Sequence, residues 1–250
     1  TGMDANKVLT LVSNERIPLT PQMRMVCEMD SLKNASPATV SRNGILFINE
    51  TDIGWRPLVD SWLEKQENKH VKNYIPVMFE KFVEEIEEST RGDCIPIVPV
   101  RVLTKIVACL SILDSALAKV APNNITQETL EQLFGYALIW SFGSPFIDDK
   151  TASSRSKFDD AFRSSLKHVL IPKEGKCFDY TYDANNNVWL PWHDFVEEYS
   201  SQPIGSAPGE VAFSSIFVET AETVRLATIM QALTSNSTPV MLVGMAGTGK

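Results

Sequence analysis

The sequence predicts a mixed α/β fold in pieces: the closing part of one parallel α/β sheet, a helical lid, and the first strand and phosphate loop of a second α/β core, with β-hairpins between them. Three observations predict it. The chain closes on "TPVMLVGMAGTGK", in which Gly244 to Lys250 fit G-x-x-x-x-G-K directly behind the apolar run Val240, Met241, Leu242 and Val243. Near the other end, "MRMVCEM" and "NASPATVSRNGILFI" read as strand, short helix and strand, half of a parallel sheet. Between these lie apolar stripes at helical spacing.

The elements follow in order. "VLTLVSNERIPL" places two β-prone runs around Ser13-Asn14 and predicts a hairpin. "MRMVCEM" predicts a buried strand. Ser36 is placed to cap a helix of barely two turns that has Pro37 at its first position and Gly44 just past its end; a strand at Ile45 to Ile48 follows. Apolar residues then recur at helical spacing in Ile75, Met78, Phe79, Phe82, Val83 and Ile86, in Leu103, Ile106, Val107, Leu110, Leu113 and Leu117, and in Leu130, Leu133, Phe134, Ala137 and Leu138. A shorter helix is expected at Phe158, Ala161, Phe162 and Leu166. "CFDYTYDANNNVWLPW" alternates aromatic and polar residues around Asn185-Asn186-Asn187, a second hairpin expected to pack two helical elements together. "SQPIGSAPGEVAF", with two prolines and two glycines, is the clearest linker, and "ETAETVRLATIMQAL" is a helix leading to the phosphate-loop strand.

Composition narrows the class. A chain of 250 residues, 44% hydrophobic and 22% charged, can bury a sizeable core. A net charge of −8 without a basic stripe argues against a nucleic-acid groove. The acidic excess concentrates at "FEKFVEEIEEST", the pattern of a solvated helix face. No apolar run approaches the roughly 20 residues of a membrane span, and "TGMDANKVLT" is not a signal peptide. Cys27, Cys94, Cys109 and Cys177 lie far apart, and Cys27 and Cys109 sit in apolar stretches, so they read as reduced core residues. His70, His168 and His193 show no metal-ligand spacing. Both ends are abrupt, and the chain reads as a piece of something longer.

The phosphate loop carries the chemistry. Glycines let the loop turn so that backbone N–H groups face phosphate oxygens, and a lysine ammonium reaches the β and γ oxygens. Gly244, Met245, Ala246, Gly247, Thr248, Gly249 and Lys250 supply that segment. The pattern continues with Ser or Thr for Mg²⁺ and a helix N-terminus, so these residues alone are expected to bind nucleotide poorly.

"MDANKVLTL", "RIPLTPQMRMV", "ASPATVSRNGILFI", "IWSFG", "FDY" and "PVMLVGMAGTGK" together resemble dynein heavy chains over essentially all 250 residues. The resemblance implies tandem AAA+ modules of the P-loop NTPase class. Residues 1–55 would be the C-terminal part of the large α/β subdomain of the second module. Residues 56–200 would be its helical lid, and 201–250 the linker and start of the third module. It further implies an ATPase that, as a whole protein, walks toward microtubule minus ends. ATP or ADP with Mg²⁺ would be the ligands. The partners would be the other modules of the same chain, microtubules through a distant stalk, and dynein intermediate and light chains. "LVSNERIPL" and "GMDANKVLTL" are similar to axonemal rather than cytoplasmic chains, which implies a cilium or flagellum; the cytoplasm is the alternative.

By the same resemblance Arg42, between the short helix and the following strand, would be an arginine finger facing the nucleotide of the first module. The alternative is a surface arginine capping the carbonyls at that helix's C-terminus. Asp30 would stand at the sensor-1 position, where Asn or Thr is more usual. An aspartate beside phosphates is repelled unless a cation intervenes, which implies a site that holds ATP as a structural ligand; a solvated or capping aspartate is the plain alternative. Val218, Glu219 and Thr220 match the segment that lines the adenine of the third module. Arg101 opens a lid helix as a sensor-2 arginine would, or is simply solvated. Two other readings are a nucleotide-bound structural spacer and a piece of another giant single-chain AAA+ ATPase.

Overall fold

The computed structural model describes residues 8–24, 26–148, 153–200, 204–205 and 212–244. Its contacts divide the chain into two units, Thr1–Ile53 and Gly54–Lys250.

In the first unit the expected hairpin forms. β1 (Val8–Thr10) pairs antiparallel with β2 (Arg16–Pro18), Leu9 opposite Ile17. Asn14 takes the left-handed conformation (φ 64°) that asparagine tolerates at tight turns. α1 (Pro37–Ser41) is capped as read: Ser36 Oγ accepts the Thr39 N–H at 3.2 Å, and Pro37 occupies the first turn, where no N–H is needed. α2 (Glu50–Ile53) closes the unit.

The two strands flanking α1 are corrections. The described residues of "MRMVCEM" and of Ile45 to Ile48 form no strand, and Val26, Leu46 and Phe47 are 94%, 84% and 76% exposed. Cys27, read as a core residue, is exposed as well. The physical reason is the missing ladder. A buried parallel strand takes its backbone hydrogen bonds from neighbours on both sides. The described residues hold only two-stranded antiparallel sheets, β1-β2 here and one in the second unit. The partial parallel sheet is therefore absent from the described residues.

The second unit is built on helices: α3 (Arg56–Glu64), α4 (Lys69–Thr90), α5 (Val102–Leu117), α6 (Gln127–Phe142) and α7 (Ser154–Ser165). Asn68 and Thr126 cap α4 and α6 by accepting the His70 N–H at 2.8 Å and the Thr129 N–H at 3.2 Å. α4 buries the predicted stripe, Ile75, Met78, Phe79, Phe82, Val83 and Ile86, and turns Glu80, Glu84, Glu85 and Glu88 outward. α5 buries Ile106, Leu110 and Leu113 of its stripe and leaves Leu103 and Leu117 half-buried, while Val107 is 39% exposed and Cys109 and Ile112 point inward.

α6 departs from a one-sided stripe. Every residue from Leu133 to Phe142 is buried, because α6 packs against both α4 and α5 and is covered by the second hairpin. Phe134 meets Phe79 edge to face with centroids 5.0 Å apart. The hairpin, β3 (Tyr180–Asp183) and β4 (Val188–Pro191), turns at Asn185 to Asn187 as read, with Asn187 left-handed (φ 53°). It is fastened to α6 through Gln132, only 2% exposed. Gln132 Oε1 accepts from Trp189 Nε1 at 2.9 Å and from the Leu170 N–H at 2.8 Å, while Nε2 donates to the His168 carbonyl at 2.9 Å. α8 (Ala221–Ser235) lies on α5 and on the 3-10 turn Trp192–Phe195, which follows β4. No helix among the described residues is long and apolar enough to cross a membrane.

Gly143 ends α6 against close neighbours. A Cβ there would stand 2.5 Å from the Ile139 carbonyl oxygen and 2.7 Å from both Phe158 and Phe178. Backbone and two buried rings cannot all retreat. Gly143→Ala is expected to lower unfolding free energy by about 1–3 kcal/mol; an unshifted urea midpoint would show that the rings can yield.

Candidate functional site

The residues read as nucleotide contacts flank α8. At its start, Thr220 forms a reciprocal cap with Thr223: Thr220 Oγ1 accepts the Thr223 N–H at 3.2 Å, and Thr223 Oγ1 accepts the Thr220 N–H at 2.9 Å. Thr220 is thereby a helix cap, and Thr223 its partner. Glu219 accepts the Glu197 N–H at 3.2 Å, and Val218 is 52% exposed. Val218 to Thr220 thus form an exposed entry to the helix, held at Glu219 and Thr220.

The exit from α8 is more tightly determined. Asn236 ends the helix, and Ser237 takes a left-handed φ of 56°. The Ser237 N–H donates to the Thr234 carbonyl and the Thr238 N–H to the Leu233 carbonyl, both at 3.0 Å, which is the Schellman arrangement. α5 then takes hold of the exit. Asn236 Nδ2 donates to the Ser111 carbonyl at 2.7 Å, and the Ser111 and Thr238 hydroxyls lie 2.5 Å apart. The last turn of α8 and the first residues leading from it are fixed to the middle of α5.

Beyond Thr238 the sequence reading is corrected. Val240 to Val243 form no strand, and Met241, Leu242 and Val243 are 79%, 46% and 45% exposed. The cause is the one that leaves Ile45 to Ile48 irregular: a parallel strand needs a neighbour, and no described strand runs beside it. Gly244 is the last described residue, and Met245, Ala246, Gly247, Thr248, Gly249 and Lys250 lie outside the described residues.

The other two candidates belong to the first unit. Arg42 stands at the C-terminus of α1, its own N–H directed at the Thr39 and Val40 carbonyls, and it is exposed. Asp30 is exposed in the bend before α1. Arg101 immediately precedes α5, with an extended backbone and no capping bond from its side chain. Burial raises the thiol pKa values of the second unit, Cys109 to about 12, Cys177 well above the usual range and Cys94 to a lesser degree, which disfavours a thiolate at each.

Residues that the sequence reading passed over prove central. Ser111 and Asn236 carry the α5–α8 junction, and Arg225 is only 8% exposed within α8. A signal for Arg225 existed. It shares the spacing of the buried face, Arg225, Ile229 and Ala232, so a charge was written into a core stripe. For Ser111 no local signal existed, since its partners lie more than a hundred residues away in sequence.

With the geometry in place, comparison with known proteins gives a consistent answer. A family described as the dynein heavy chain AAA lid domain matches residues 75–194, and the P-loop containing dynein motor region matches residues 206–250. The flagellar outer arm dynein beta chain of Chlamydomonas reinhardtii is 38% identical over 253 residues, covering 100% of this chain and 5% of that protein. Human dynein axonemal heavy chain 17 is 39% identical over 251 residues, covering 100% of this chain and 6% of that protein. The ciliary dynein beta chain of Tripneustes gratilla is 37% identical over the same length. The chain thus spans only a small part of the length of these relatives.

Two substitutions at the α8 exit are expected to act in opposite directions. Asn236→Ala removes the bond to the Ser111 carbonyl and should lower stability by about 1 kcal/mol. Ser237→Gly relieves a left-handed non-glycine residue and should raise stability by up to about 1 kcal/mol. Denaturant unfolding of the two variants beside the parent checks both signs.

Proposed function

The chain belongs to the dynein heavy chain family, and on that premise we propose that it is part of the ATP-driven ring of a minus-end-directed microtubule motor. The observation that carries this reading is the match over the full 250 residues, ending on a phosphate-loop pattern in the matched motor region. In this reading residues 1–55 close the large subdomain of the second AAA+ module, 56–200 form its lid, and 201–250 open the third module. The ring stands in a ciliary or flagellar axoneme, since the relatives quoted above are flagellar, axonemal and ciliary chains. Its partners are the other modules of the same chain, microtubules through a stalk outside these residues, and dynein intermediate and light chains.

The residues divide the work by charge. Gly244 to Lys250 bind the phosphates of ATP or ADP at the third module, glycine N–H groups and the Lys250 ammonium offsetting phosphate charge, with Mg²⁺ accompanying the nucleotide. Val218, Glu219 and Thr220 border the base. Arg42 projects a guanidinium toward the nucleotide of the first module, where a fixed cation counts most as charge develops on the γ-phosphate. Asp30 favours a second reading for the second module alone. A carboxylate at the sensor position repels phosphate, so that site holds its nucleotide as a structural ligand and the module acts as a spacer.

Two substitutions in the intact heavy chain test the assignments. Lys250→Ala should weaken nucleotide binding at the third module by tenfold or more, as about 1.4 kcal/mol of lost charge pairing implies; equal affinity of mutant and parent would refute the phosphate-loop role. Arg42→Ala should lower microtubule-stimulated turnover by up to about 10³-fold while nucleotide affinity changes little. Lysine should rescue poorly, because a point charge lacks the planar fork. Near-parental turnover would leave Arg42 as a helix-end arginine.

A further inference from the structure

Among the described residues, four buried side-chain atoms have no hydrogen-bond partner, and all four are donors: Trp140 Nε1, Trp192 Nε1, Arg155 Nε and Arg225 Nε. They belong to one neighbourhood. The Arg225 guanidinium lies 5.6 Å from the Trp140 ring centroid and the Arg155 guanidinium 4.5 Å from that of Phe178. Trp140 packs edge to face on both Phe178 and Trp192, with centroids 5.7 and 6.4 Å apart. α6, α7, α8 and the Trp192–Phe195 turn meet here.

The nearby carboxylates are already engaged. Glu222 pairs with Arg225 Nη2 at 2.6 Å from a side chain 66% exposed. Asp148 accepts the Arg155 and Ser156 N–H groups, the Ser156 hydroxyl and Lys176. Asp159 accepts from Arg163 and from the Cys177 N–H. The Phe178 carbonyl lies at the limit of reach of Arg225, 3.5 Å. Burial, and then the like charge of Arg225, lowers the Arg155 pKa, yet a guanidinium does not give up its proton at neutral pH. Two half-compensated cations and two indole N–H groups thus share one desolvated corner, an arrangement that is unfavourable as it stands.

We propose that these donors hold a small inorganic anion of about chloride's size, which cements α8 to the lid helices α6 and α7. Water is the poorer occupant, since each water brings two protons that themselves need acceptors, and the unpaired buried groups here are all donors. An anion only accepts, and it offsets the repulsion between Arg155 and Arg225. A small ion suits the close aromatic packing better than an organic ligand would. None of its residues belongs to the phosphate-loop pattern, and its occupancy sets how firmly α8 is seated.

The test is thermal unfolding of this chain while chloride replaces gluconate at constant ionic strength. The midpoint should rise by several degrees and saturate, as for a ligand bound only by the folded state. Lys250→Ala should keep the whole shift, and Arg155→Gln should lose it while unfolding in gluconate no earlier than the parent. Should Arg155→Gln fail to fold, Trp192→Phe keeps the ring and removes one donor. It is expected to weaken the apparent chloride affinity about tenfold, the usual value of a hydrogen bond to a charged partner. Crystals soaked in bromide should show an anomalous peak within hydrogen-bonding distance of the unpaired Nε and Nε1 atoms. Equal midpoints in chloride and gluconate, a shift given by phosphate but not by chloride, or an unchanged affinity in Trp192→Phe would each overturn the proposal.

Discussion

The second unit depends on the desolvation of α6 from Leu133 to Phe142. A polar side chain on such a helix is costly unless it is matched, and Gln132 finds partners: two donors arrive at its carbonyl oxygen and its amide finds a backbone acceptor. Those three bonds fix the hairpin and the 168–170 segment against the same helix. Removing Gln132 would leave an indole, an amide N–H and a carbonyl unmatched in a dry interior, a penalty of about 1–3 kcal/mol for each. The rest of the unit is arranged around keeping that interior dry, with Phe79 and Phe82 on one flank and the α5 stripe on the other.

The lid and α8 form one mechanical piece. α8 is held at its start by its own Thr220 cap, along its length by the stripe containing Arg225, and at its end by Ser111 of α5. In the family reading, the lid of one module and the entry helix of the next share a single core. A displacement of α5 would then reach the segment before Gly244 through hydrogen bonds rather than through a loose tether.

What the sequence disclosed follows how far each signal reaches. Ser36, Asn14, the turn at Asn185 to Asn187 and the stripes of α4 and α5 act within a few residues, and each was legible. The runs at Met23 to Met29, Ile45 to Ile48 and Val240 to Val243 have strand composition but lack a described neighbour to pair with. Strand formation is a property of the pair and not of the run. The burial of α6 on its second face was equally hidden, because Trp189 of the hairpin that covers it lies 57 residues beyond Gln132. The phosphate loop was legible as a pattern of glycines and a lysine, and the roles given to Arg42 and Asp30 rest on resemblance, with no signal of their own beyond position.

The contrast among the four thiols has a practical side. Cys94, Cys109 and Cys177 are closed off at 7%, 0% and 0% exposure, whereas Cys27 is open to solvent. A maleimide dye or spin label offered to the folded chain therefore has one address among the four. Among these residues the first unit therefore carries a natural attachment point for a single reporter group.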